Sequence, residues 1–121
     1  MTICRKITPA GTFDGKQGFT YVEGIARETT GSQGICMHLL TIPPGGRAKA
    51  HKHATHETAI YMIDGVTVMF WGARLENRME ARAGDLIYIP ADMPHLPFNP
   101  GTVPARAVIA RTDPHEQESV V

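Results

Sequence analysis

Three of the six histidines, His51, His53 and His56, lie within six consecutive residues. Clustered imidazoles suit a divalent transition metal, because a neutral ring nitrogen is a strong ligand for such ions. In an extended strand, residues two apart share a face, so His51 and His53 project in parallel. Glu57 has the same parity if the strand is unbroken, whereas His56 faces the other way. Parity therefore nominates Glu57 as the third ligand, with His56 as the alternative. A bare His-x-His pair also describes two surface histidines near a turn, so a second element is needed. Residues 84–99 supply one: an apolar segment ends in a turn carrying Pro90, Pro94 and Pro97 and delivers His95.

Together the two segments resemble the motifs of the cupin superfamily. The first family motif runs Gly, five residues, His-x-His, three or four residues, Glu, six residues, Gly. Gly45, His51, His53, Glu57 and Gly65 take those places. The second runs Gly, five residues, Pro-x-Gly, two residues, His, three residues, Asn, and Gly84, Pro90, His95 and Asn99 match it in register. Two departures stand out. Seven residues rather than six separate Glu57 from Gly65, and counting back six lands on Thr58, which cannot replace a carboxylate. Either Glu57 reaches the site through a small bulge or His56 supplies a nitrogen. Asp92 stands where the second motif has glycine, and Asp tolerates that turn conformation.

The resemblance implies an all-β fold, the double-stranded β-helix of a cupin-type jelly-roll barrel. It also implies that His51, His53, Glu57 and His95 bind one divalent metal per chain (Fe, Mn, Ni, Zn or Cu), leaving positions for water or substrate. Sequence does not choose among these ions. If Glu57 points inward, Ala59, Tyr61 and Ile63 follow on the same face. Tyr61 then becomes a catalytic candidate, a polar handle in a mostly apolar pocket.

The elements that must position these residues read as strands. Strand character recurs at 19–27, 35–42, 57–63, 66–71, 86–89 and 105–111, between glycine and proline punctuation. With 12 glycines and 9 prolines in 121 residues, turns are frequent and long helices unexpected. Asp14-Gly15 and Asp64-Gly65 read as hairpin turns. Residues 73–83 contain many helix formers, but Arg74, Glu76, Arg78, Glu80 and Arg82 occupy every even position, which favours an exposed strand. Both faces of 66–71 are apolar, so one of them needs a cover, either the chain's own termini or a second subunit, and a homodimer is the simpler expectation.

One domain spans 1–121, with the motif region at 45–99 and a polar surface tail from about 112. Twelve basic residues balance twelve acidic ones, and there is no basic run, so nucleic acid and anionic membranes are not expected partners. No apolar stretch is long enough to span a bilayer or serve as a signal segment, which points to a cytoplasmic protein. Cys4 and Cys36 lie far apart and read as free thiols. No nucleophilic serine constellation or phosphate-cradling loop competes with the histidines, so the expected partner is a small-molecule substrate or ligand at the metal. The preferred reading is a metal-dependent enzyme, dioxygenase-like. The alternatives are a cupin isomerase or lyase and a non-catalytic module that binds or senses a small molecule or metal.

Overall fold

The computed structural model describes residues 3–9, 12–14 and 19–115. The elements are β1 (Thr12–Asp14), β2 (Thr20–Ile25), a one-turn helix α1 (Arg27–Thr30), β3 (Cys36–Ile42), β4 (Thr58–Asp64), β5 (Val66–Trp71), β6 (Asn77–Arg82), β7 (Leu86–Ile89), β8 (His95–Phe98) and β9 (Ala105–Arg111). Six strands form one antiparallel sheet in the order β1-β2-β3-β9-β4-β7, and β6-β5-β8 form a second. Residues 47–51 extend the smaller sheet through bridges of Arg47 to Phe98 and His51 to His95.

Alternation decides which side chains go inward. Along β3, Cys36, His38, Leu40 and Ile42 are buried, while Met37, Leu39 and Thr41 are exposed, as expected of a sheet with one covered face. Tyr21, Leu40, Ile42, Met62, Ile87 and Ile109 of the large sheet join Met69 and Ala81 of the small sheet in one apolar cluster. The core thus lies between the sheets, and the all-β double-stranded β-helix is the observed architecture.

The alternating charges of 73–83 belong to a strand over Asn77–Arg82, with Ala81 buried and its neighbours Glu80 and Arg82 exposed. The residues before it form a turn in which Leu75 takes a positive φ of 55°. The Asp64-Gly65 turn does not close a hairpin. Gly65, at φ 78°, passes the chain from the large sheet to the small one, and a side chain there would strike the Ala105 and Pro104 backbone. Gly15 of the other expected hairpin lies outside the described residues.

Both faces of β5 are buried as expected, and Thr67, Val68 and Met69 are covered within the chain. Exposed apolar side chains gather instead on the outside of the large sheet. The register aligns Leu39, Val108, Tyr61 and Leu86 in one cross-strand row and Met37, Ala110, Ala59 and Tyr88 in the next. Nor does the chain leave the body at the end of β9, because Asp113 is buried; residues 116–121 of the expected tail lie outside the described residues. Cys4 is exposed and Cys36 buried, both free. No helix among the described residues is long and apolar enough to cross a membrane.

Candidate metal centre

The site is built where 47–53 lies beside β8. His51 N–H donates to His95 O (3.0 Å) and His95 N–H donates to His51 O (2.9 Å). This reciprocal antiparallel pair sets the two side chains next to each other on one face. His53, two residues on, shares that face. Asp92 takes φ 63° and its N–H donates to His53 O at 2.7 Å, so the aspartate fills the role of the motif's glycine and aims His95 inward. Ring centroids are 4.3 Å apart for His51 and His95, 5.3 Å for His51 and His53, and 5.5 Å for His53 and His95. One ring nitrogen from each of the three lies within 4.8 Å of the others, a group that could hold a metal ion.

The backbone also selects the tautomers. His51 Nδ1 lies 2.7 Å from Lys49 O and His95 Nδ1 lies 2.8 Å from Met93 O. Each Nδ1–H donates to its carbonyl, which leaves the Nε2 lone pair for the site. His53 Nδ1 is buried without a hydrogen-bond partner. Burial lowers all three pKa values. His51 falls to about 4, helped by the neighbouring His95. His53 falls to about 2, helped by the Arg111 charge. His95 is lowered by burial and Arg111 against the pull of the Met93 carbonyl. Imidazoles that stay neutral are competent ligands, so the donor set fits a transition metal.

Glu57 does not join them. It is exposed, its carboxylate accepts a 2.6 Å hydrogen bond from Tyr88 Oη, and its N–H donates to Thr112 Oγ1. The parity argument required an unbroken strand, but residues 54–55 form a bend and β4 begins at Thr58. Thr58 therefore points inward, opposite Arg111 and Ile89 in the register. Every later residue of β4 shifts face with it. Ala59, Tyr61 and Ile63 lie on the outer surface, Tyr61 46% exposed, and Thr58, Ile60 and Met62 line the interior instead. Tyr61 thus does not line the cavity that the three histidines share.

His56 is buried beside His53, with ring centroids 4.6 Å apart. Its Nδ1 lies 3.3 Å from Asp113 Oδ2, and it is outside the three-histidine group. His38, buried in the core, accepts the Gly24 N–H at its Nδ1. The sequence reading missed Thr58 as an inward residue and Arg111 altogether. A signal for Arg111 existed: Ala105, Ala107 and Ile109 form the apolar face of a strand whose next position of that parity is an arginine.

The histidines open on a cavity of about 40 Å³, room for about three waters. Its wall is apolar apart from the three histidines, Tyr21, Thr58, Thr67 and Arg111.

Residues 38–111 match the Cupin domain family. The chain belongs to the cupins. A curated relative, the uncharacterized protein MJ1618 of Methanocaldococcus jannaschii, is 35% identical over 78 residues, covering 64% of this chain and 59% of that protein. The chain thus spans less than two thirds of the relative's length. Among solved structures, the Lactobacillus farciminis oxalate decarboxylase formate complex superposes with a TM-score of 0.75 at 21% identity, over 92% of this cupin and 32% of that chain. A Bacillus subtilis oxalate decarboxylase mutant gives 0.72 at 24%, over 95% and 29%. The Schizosaccharomyces pombe Cnp3 cupin domain gives 0.70 at 10%, over 86% and 69%. At these identities the likeness concerns the fold.

Proposed function

We propose that this cupin is a metal-dependent enzyme acting on a small organic molecule, with dioxygenase chemistry preferred. The carrying observation is the convergence of His51, His53 and His95 on one cavity, with Nδ1 of two of them committed to backbone carbonyls. The residues that would hold the ion are these three, without a protein carboxylate. When bound, a ferrous or similar ion would act as a Lewis acid toward a chelating substrate and supply electrons to dioxygen. Three protein ligands would leave more of a bound ion open to substrate than the four-ligand set inferred from the motif. The Lys49 and Met93 carbonyls hold the imidazoles in orientation, while Ile60, Met62, Met69 and Ile109 exclude bulk water. The oxalate decarboxylases share the fold at under 25% identity and do not set the reaction.

An oxygen-electrode screen of diketones, enediols and catechol-like compounds with the Fe, Mn, Ni, Cu and Zn forms tests this reading. Uptake is expected with at least one redox-active form and is lost in His95→Ala. Uptake that persists in that variant would exclude the site, and a silent screen with tight ligand binding would favour a binding module. The same reading includes a homodimer formed by the two apolar rows on the outer face of the large sheet. Light scattering should give twice the chain mass, and Leu86→Asp should restore the monomer.

A further inference from the structure

Arg111 ends β9, between Cys36 of β3 and Thr58 of β4, and lines the same cavity as the three histidines. It is only 4% exposed, and none of Nε, Nη1 or Nη2 has a hydrogen-bond partner. Its neighbours are the Tyr21 ring, 5.9 Å from the guanidinium carbon, and the Cys36 thiol. Asp113, two residues on, directs its carboxylate to His56 and to the His115 N–H instead. A guanidinium keeps its charge at any ordinary pH, and burying it with no acceptor beyond the weak one of the Cys36 sulfur is strongly unfavourable. No Asp or Glu lines the cavity, so a divalent ion at the histidines would add two further charges with only the Asp113 carboxylate, behind His56, to offset them. The protein thus holds a forked donor, an apolar wall and excess positive charge, all facing one small space.

We infer that the cavity binds a small carboxylate, held at one end by the Arg111 fork and directed by its other end toward the three histidines. Two parallel N–H donors match the two oxygens of a carboxylate, and a ligand of a few heavy atoms matches the space. Thr58 Oγ1, also buried without a partner, offers a further hydrogen bond. This deepens the metal-site reading and rests on it only for what faces the far end of the anion.

The test is calorimetric titration of acetate, glycolate and pyruvate into zinc-loaded and metal-free protein, beside pyruvamide and inorganic phosphate. Carboxylates are expected to bind the wild type and to lose about tenfold or more in affinity in Arg111→Met. That variant, freed of a buried unpaired charge, should melt about 3 °C or more above the wild type, a gain that a structural role for Arg111 would reverse. If it does not fold, Arg111→Lys carries the test, since it keeps the charge and loses the fork and should still bind carboxylates more weakly. Equal carboxylate binding in the variant and the wild type would overturn the proposal, as would pyruvamide or phosphate binding tighter than pyruvate. Zinc uptake is measured separately. Uptake without carboxylate binding removes the anion site alone, whereas Arg111-dependent binding without zinc uptake removes the metal reading and leaves the anion site.

Discussion

The two faces of the large sheet treat their polar groups in opposite ways. Outside, Glu57 accepts the Tyr88 hydroxyl and Asp64 pairs with Arg106, each within the protein and each open to water. Inside, on the same strands, Thr58 and the Arg111 guanidinium have no hydrogen-bond partner and His53 Nδ1 has none beside them. Exposed pairs contribute little because water screens them and competes for every bond. Buried unsatisfied groups cost a great deal, so their clustering at one cavity is the observation on which the proposed ligand site rests. Function in this molecule is therefore read from the groups left unsatisfied, and the well-formed contacts outside are the less informative ones.

The contrast is sharpest at single residues. On the inner face, His53→Ala should lower metal affinity by at least about 100-fold while circular dichroism still reports a folded β protein, because a ligand is removed and no core side chain is lost. Acid should come next. Burial, with the Arg111 charge, lowers His38 to about 4, whereas the unfolded chain binds that proton near 6.5. Between those values the unfolded state holds more protons, so stability falls as pH drops, by about 3 kcal/mol from this residue across the window. Urea denaturation at pH 7 and pH 4.5 reads the loss, and His38→Gln should remove its share, leaving the part that comes from His51, His53 and His95. The outer face should yield the smallest effect. Glu57→Gln keeps a hydrogen-bond acceptor for Tyr88 and is expected to change metal affinity by less than about twofold.

Much of this was legible in the sequence, and the failures share one cause. Residues 105–111 and 36–42 alternate without interruption, and their faces follow from period two. His95 and Asp92 were legible because a proline-bounded turn has few conformations and Asp tolerates the left-handed one. Between His53 and Thr58, however, a bend separates two extended segments, and parity cannot be counted across it. That single break moved Glu57 and Tyr61 outward and brought Thr58 in, although the six-residue spacing back from Gly65 already pointed at Thr58. The segment carrying β8 reads as a turn because three prolines surround it. It is a strand because His95 N–H donates to His51 O of the adjacent segment, while Pro97, which has no N–H, contributes only its carbonyl, to Ala48 N–H. The displaced apolar surface has a similar origin: alternation says that one face of a strand is apolar, and only the sheet order says which strands place those faces side by side.

The central claim is that three imidazoles without a protein carboxylate form a metal site. Elemental analysis of wild-type and Glu57→Gln protein, each expressed with Fe, Mn and Zn supplied and then freed of excess metal, tests it most directly. About one equivalent of a transition metal per chain in both proteins is the expected result. Less than about a tenth of an equivalent in the wild type, or metal retained by the wild type and lost in Glu57→Gln, would contradict it.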